Sequence, residues 1–308
     1  KAIESRNAGQ VGGKALALAR IDYDLGYRVP EFFAVTVDAY REFLEAGGLA
    51  SSLRTILAPA RLDAADDFRR RCEMAQDLVG GARVPPAVAD AIEEAWRASG
   101  FPPGEGLAIR SSASGEGSEL SFAGQFETFL NVPASGLVEA WKEVVSSRFS
   151  PRAVFYRRAA GLAEVDTPMA VLVQRMVRAR ASGVVFTRRP DEPRSPALLV
   201  SAVRGLGPEV SAGIASADQF AVSRGAPHRI LERRVARKPA RLVGAEGGGL
   251  ARLDLASEEQ LRPSLEDSEV VRLAAAALAI ERYFGEPQDV EWVFDAEGEL
   301  FVLQARPL

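Results

Sequence analysis

Three observations predict an α+β fold of two subdomains. Apolar residues recur at helical spacing through the first hundred residues, and short β-rich runs dominate from residue 106 onward. The chain then closes on "QDVEWVFDAEGELFVLQARPL", which alternates like the two arms of a hairpin. At 308 residues it exceeds a usual single domain and falls short of three. The expected division is a mainly helical subdomain over 1–104 and a sheet-rich one over 105–308.

Taken in order, "GGKALALARIDYDLGY" (12–27) spaces Leu16, Ala19, Ile21 and Leu25 as a helix that begins near Lys14 and stops at Gly26. After Val29-Pro30, "FFAV" reads as a short strand; Thr36 is placed to cap "VDAYREFLEAG", which Gly47-Gly48 ends. Residues 64–99 read as two helices separated by "GGARVPP". Strand-like runs follow at 106–110, 126–132, 170–177, 183–187, 197–203, 218–223, 229–235, 289–294 and 300–304. Helices are expected near 135–160 and 265–284, and "GAEGGG" (244–249) as a flexible loop. Such an order suits a largely antiparallel sheet.

A net charge of −4 leaves no global basic field to recruit nucleic acid or an anionic membrane. The densest cationic stretches, Arg69 to Arg71 and Arg229 to Lys238, are interleaved with or flanked by acids and read as solvated faces. The single cysteine, Cys72, cannot form an internal disulfide, and no apolar run approaches the ~18 residues of a membrane span. With no secretory signal pattern in the opening residues, a cytoplasmic location is expected.

Four segments can carry chemistry. Gly12-Gly13-Lys14 at a helix start offers a phosphate backbone N–H groups, the helix dipole and a point charge. It is not a P-loop, because Ala15 stands where Ser or Thr is needed and no strand precedes it; an ordinary glycine-initiated helix is the alternative. In "AIRSSASGEGSELSFAGQFETFLN" (108–131), Arg110 ends an apolar strand where its fork can grip phosphate oxygens. A mobile loop is expected over 111–124, with Gly115, Gly117 and Gly124 allowing close backbone approach and Ser111, Ser112, Ser114, Ser118 and Ser121 offering hydroxyls. A solvent loop with a surface arginine fits equally.

The closing hairpin is the third segment. A two-residue turn at Glu297-Gly298 sets Glu291 opposite Gln304 and Asp289 opposite Arg306, all on one face, with Trp292 and Phe294 on the other; a three-residue turn shifts the pairing by one. A carboxylate and an amide oxygen placed so can hold Mg²⁺ bridging phosphates, and the arginine neutralises remaining charge. A polar face with an ordinary ion pair is the alternative. Fourth, "MAVLVQRMV" is an apolar strand interrupted by Gln174; with Met176 it offers an adenine a hydrogen-bonding edge and an apolar wall, if it is not simply core.

In order and spacing these segments, with "VPEFFAVTVDAYREFL", "SGVVFTRRP" and "GLGPEVSAG", resemble the N-terminal nucleotide-binding domain of phosphoenolpyruvate synthase, pyruvate phosphate dikinase and rifampin phosphotransferase, over essentially the whole chain. The resemblance implies an ATP-grasp-like fold holding ATP and Mg²⁺ between the helical and the sheet-rich subdomain. It implies Lys14, Arg110 and Arg306 as catalytic phosphate clamps, Glu291 and Gln304 as metal ligands, and Gln174 with Met176 as the adenine strand. Gly124 and Thr128 resemble members of a phosphate lid, and Asp289 matches a family acid. One departure is Glu116-Gly117-Ser118, where the family carries an acidic pair.

Relatives of this kind pass a phosphoryl group through a histidine on a mobile domain. The only histidine here, His228 in "RGAPHRI", lacks that context and reads as a surface turn. The resemblance therefore implies a partner: a swivelling phosphohistidine carrier domain and an acceptor-binding domain, in the same chain or in trans. The expected activity is transfer of the β,γ-phosphates of Mg-ATP to that histidine, for onward delivery to an acceptor such as pyruvate or an antibiotic. An ATP-grasp carboxylate ligase and a non-catalytic nucleotide-binding module are the rival readings.

Overall fold

The computed structural model describes residues 7–113, 127–162, 167–211 and 216–308. The chain forms two compact units, one of residues 1–16, 31–176 and 247–249, the other of 17–30, 177–246 and 250–308. The expected boundary at 104 falls inside the first unit, because the strand that follows it completes a sheet begun before it.

The first unit takes the N-terminal half of α1 (Ala8–Tyr23), then β1 (Phe32–Val35), α2 (Val37–Glu45), α3 (Leu49–Leu57), α4 (Ala65–Gly80) and α5 (Pro86–Ser99). It continues with β2 (Leu107–Ala113), β3 (Thr128–Val132), α6 (Leu137–Ser147), α7 (Pro151–Ala159) and β4 (Met169–Arg175). The four strands pair antiparallel in the order β1-β4-β2-β3. Alternation sends Leu107, Ile109, Val171 and Val173 into a core with Phe43, Leu53, Cys72, Val79, Val144 and Trp141. The Phe43 and Trp141 rings meet edge on at 5.4 Å. The opposite face of the sheet is left to Ala108, Arg110 and Ser112.

Several elements differ from expectation. Helical turns begin at Ala8 and are broken by Gly12 (φ 77°), so that the continuous helix starts close to the predicted Lys14. The α3 helix was not expected; it follows two glycines and shows only three buried apolar positions, Leu49, Leu53 and Leu57, at four-residue spacing. The helix expected over 135–160 divides at Ser150-Pro151, since proline cannot continue the hydrogen-bond ladder, and Ser150 Oγ caps α7 by accepting from Ala153 N–H (3.3 Å). Thr36 occupies the N-cap position of α2, but its hydroxyl makes no capping bond.

The second unit contains β5 (Ala181–Phe186), β6 (Ala197–Arg204), α8 (Pro208–Ser211), β7 (Asp218–Ser223), β8 (Ile230–Arg234), β9 (Ala240–Gly244), β10 (Leu250–Asp254), α9 (Asp267–Phe284), β11 (Gln288–Phe294) and β12 (Leu300–Pro307). Six strands form an antiparallel sheet in the order β12-β11-β5-β6-β7-β8, and β9 with β10 makes a separate hairpin around the expected loop. The amphipathic α9 opens with a reciprocal capping box between Glu266 and Glu269 and stops at Gly285 (φ 80°). Its buried Val270, Leu273, Ala277 and Ile280 belong to this unit's core, as do Trp292 and Phe294 of β11. The outermost strand, β8, exposes nearly all its side chains.

The run Arg229 to Lys238 is not wholly the solvated face expected. Lys238 is buried, and its ammonium pairs with the fully buried Asp218, whose carboxylate also accepts from the backbone N–H groups of Ala236 and Ser264. This cluster ties the segments after β8 and before α9 to the start of β7. Removing one member of a buried pair strands the other charge, at a cost of about 3–5 kcal/mol. Lys238→Met should lower the unfolding free energy by that amount in chemical denaturation, and Asp218→Asn/Lys238→Met should recover much of the loss.

Candidate functional site

In the first unit the Gly-Gly-Lys segment is fastened to β2. A Cβ on Gly12 would stand 1.9 Å from the carbonyl oxygen of Ser112, so only glycine, in its left-handed conformation, allows this approach. At that contact Ser112 Oγ donates to the Val11 carbonyl (2.8 Å) and accepts from Ala15 N–H (3.3 Å). Lys14 Nζ donates to the carbonyl (2.9 Å) and the hydroxyl (3.2 Å) of Ser111. The ammonium is thereby positioned by the residue next to Arg110. Ser111 and Ser112 were expected in a loop; they are buried strand residues whose hydroxyls serve this internal junction.

Across the sheet, Arg110 lies opposite Thr128 on one side and Leu172 on the other, and Gln174 lies opposite Ala108. Facing residues in an antiparallel pair share a face, and so do alternate residues of one strand. Arg110, Thr128 and Gln174 therefore sit on the same face, the one turned away from the helical core. Gln174 is 2% exposed, and among the described residues its Nε2 has no hydrogen-bond partner, an unspent donor in a buried position. Met176 lies two residues on, with its N–H bonded to the Gly106 carbonyl (3.0 Å). Between them Arg175 is gripped by Glu31 (2.5 Å) and Glu105 (3.0 Å), which fixes the end of β4. Gly115, Glu116, Gly117, Ser114, Ser118, Ser121 and Gly124 lie outside the described residues.

In the second unit the hairpin pairs Glu291 with Gln304 and Asp289 with Arg306, as the alternation requires. It reaches that pairing by a different route. The turn is not the expected two-residue one: the strands close at Phe294 and Leu300, and Asp295 N–H donates to the Glu299 carbonyl (3.1 Å). That longer turn would shift every pair by one. A β-bulge between Glu291 and Trp292, where the pairing passes from Gln304 to Val302, takes up the extra residue and restores the register.

Arg306 donates to Asp289 Oδ2 through both Nε (2.9 Å) and Nη2 (2.6 Å). Asp289 Oδ1 is buried and makes no hydrogen bond among the described residues. Burial raises the Asp289 carboxyl above its ordinary 3.8; the Arg306 charge and hydrogen bonds pull it down, and the neighbouring Glu291 charge adds to the rise. Two acids, one amide and one guanidinium thus share a face, while Trp292 and Phe294, in edge contact at 5.6 Å, fill the core behind it.

His228 is half-buried in the turn after β7 with Nδ1 at 3.0 Å from the Ser223 carbonyl. Among the described residues no helix is long and apolar enough to cross a membrane.

Comparison with known proteins gives this geometry its context. Residues 8–308 match the family described as pyruvate phosphate dikinase, AMP/ATP-binding domain. Over 99% of the chain it is 33% identical to a probable phosphoenolpyruvate synthase of Methanocaldococcus jannaschii and 32% identical to a rifampicin phosphotransferase of Bacillus subtilis. A phosphoenolpyruvate synthase of Neisseria meningitidis is 33% identical over 97% of the chain. The chain spans 26, 35 and 40% of the lengths of these three proteins. Among solved structures a D-cycloserine synthetase matches at 14% identity and a TM-score of 0.30, covering 99% of this chain and 62% of that one, too weak a likeness to add to the fold. By the family match across nearly its whole length, the chain belongs to the pyruvate phosphate dikinase AMP/ATP-binding domain family.

Proposed function

We propose that this chain binds Mg-ATP and passes its β- and γ-phosphates as one group to a histidine on another domain or subunit, releasing AMP. The observation that carries the reading is the hairpin pairing of Glu291 with Gln304 beside the Asp289–Arg306 pair, found in a chain of a nucleotide-binding family. The names of the relatives, synthases of phosphoenolpyruvate and a phosphotransferase acting on rifampicin, point to pyruvate or an antibiotic as the class of final acceptor.

The donor set suits a hard cation: the Glu291 carboxylate and Gln304 amide oxygen would hold Mg²⁺, next to the buried, unbonded Oδ1 of Asp289. Bound there, the cation supplies positive charge to the phosphate oxygens. The chain's own groups do the rest. Lys14, Arg110 and Arg306 neutralise the phosphates and hold them for in-line attack; Gln174 Nε2 donates to the adenine, and Met176 gives it an apolar wall. Gly124 and Thr128 act as the lid that keeps water out. The ring nitrogen of the carrier histidine attacks the β-phosphorus, the bond from that phosphorus to the α,β-bridging oxygen breaks, and AMP leaves with the oxygen. Phosphoryl transfer of this type rests on positioning and charge neutralisation rather than on covalent help from the protein. His228, held in its turn by Ser223, is not the carrier.

Glu291→Gln keeps the shape of the side chain and removes the charge. Calorimetry should show Mg²⁺-dependent ATP affinity falling at least about tenfold, 1.4 kcal/mol, with the circular dichroism unchanged; wild-type affinity would assign the metal elsewhere.

Because the Asp289 carboxyl is raised, the folded state favours its protonated form, and the stability this gives is complete below the ordinary 3.8 and lost as pH rises through the folded value. Asp289→Asn has no such loss. Denaturant unfolding of the nucleotide-free protein should show the wild type losing stability relative to Asp289→Asn as pH is raised, and parallel pH curves would contradict the assignment.

Incubation with ATP labelled at the β-phosphate and a carrier domain from a relative should place acid-labile, base-stable label on the carrier and release AMP, with His228→Ala behaving as wild type. Release of ADP without any carrier would indicate a carboxylate ligase, and binding without turnover a sensing module.

A further inference from the structure

The connection from β5 to β6, residues 187–196, and the turn that follows β7 enclose a groove of about 510 Å³ within the second unit. Such a volume is within the range of small-molecule sites. Arg188, Arg194 and Arg224 line it, with Ser195 and two prolines between them.

The local charge balance is uneven. The connection carries two acids, Asp191 and Glu192, and both turn to Arg189, at 2.8 and 3.4 Å. Arg188 and Arg194 are exposed; the Arg188 charge acts on Glu281 of α9, and among the described residues no ion pair within 4 Å is seen for Arg194. Arg224 is anchored by a two-pronged contact to Glu281 of α9 (2.5 and 3.1 Å) and a further bond to the Thr187 carbonyl. Arg224 is thus fixed in the lining by Glu281, while Arg188 and Arg194 stand exposed, so three guanidiniums share the field of one anchored carboxylate there, in a chain whose net charge is negative. Guanidinium forks match the oxygens of phosphate in geometry as well as charge.

We propose that this groove is a second anion site, which takes a small phosphate-bearing molecule and is separate from the groups assigned above to ATP. Arg188 and Arg194 close on the phosphate oxygens, Arg224 sets the field at the base, and the Ser195 hydroxyl donates alongside. Occupancy links the β5–β6 connection to α9 through Arg224 and Glu281.

Calorimetric titration of the whole chain with inorganic pyrophosphate tests this, using wild type, Arg188→Ala/Arg194→Ala, and Arg110→Ala/Arg306→Ala. The exposed rim arginines can be removed without threatening the fold, which a thermal melt checks. The expected result is a pyrophosphate binding event weakened on the order of tenfold to a hundredfold in the rim variant and kept in Arg110→Ala/Arg306→Ala. Mg-ATP affinity should be unchanged in the rim variant, so failure of the nucleotide reading would show separately, as absence of ATP binding in the wild type. An identical isotherm in the rim variant, or a pyrophosphate event lost only with Arg110 and Arg306, overturns the proposal.

Discussion

Everything assigned to the second unit depends on the parity of one antiparallel pair. A strand has two faces, and a slip of one residue exchanges them. In β11 one face must bury Trp292 and Phe294 against the core, which forces Asp289 and Glu291 to the other. On β12 the partners Gln304 and Arg306 reach the same face only because the bulge beside Glu291 absorbs the residue that the longer turn adds. The bulge is therefore part of the site: it reconciles the turn that the chain adopts with the alternation that its core demands.

The first unit solves a comparable problem by contact distance. Its cations come from separate elements, Lys14 from α1 and Arg110 from β2, and they are brought into one neighbourhood because Gly12 lets the helix backbone touch Ser112. Burying Ser111 and Ser112 is tolerable only because their hydroxyls find partners across the junction. Of the serines that look, in the sequence, like the start of a solvent loop, Ser111 holds the lysine and Ser112 the backbone on either side of it.

What could be read in the sequence follows from where the information lies. That Asp289 and Glu291 share a face away from Trp292 and Phe294 was legible, since period-two alternation is a local property; the pairing with Arg306 and Gln304 was expected from a two-residue turn at Glu297-Gly298 that the chain does not adopt, and it holds because an unforeseen bulge offsets the longer turn closed by Asp295 and Glu299. Gln174 stood out as an amide within an apolar strand, but that its Nε2 is left unspent depends on neighbours brought in from other strands. Charge patterning misread Lys238, which stands in a cationic run while its partner Asp218 opens β7, twenty residues earlier. The β9–β10 hairpin escaped notice because its strands are only five residues long and intersperse Arg241, Arg252 and Asp254 among their apolar residues, and α3 because two glycines precede it. The division of the chain was misplaced for a related reason: β2 begins the sheet-rich text, yet it pairs with β4, which in turn pairs with β1.

The two margins of the six-stranded sheet are not equivalent. At one margin β12 gives the N–H of Val302 to the carbonyl of Arg28, so part of that edge is already occupied. At the other, β8 reads Ile-Leu-Glu-Arg-Arg, and its outer residues stay in water, with Arg233 held by Asp267 and stacked over Phe220. A second chain adding a strand there would have to strip water from Glu232, Arg233 and Arg234 to gain backbone hydrogen bonds. The margin most open to edge-to-edge aggregation is thus guarded by charge, and crowding the protein should not, through this strand, draw it into extended sheets.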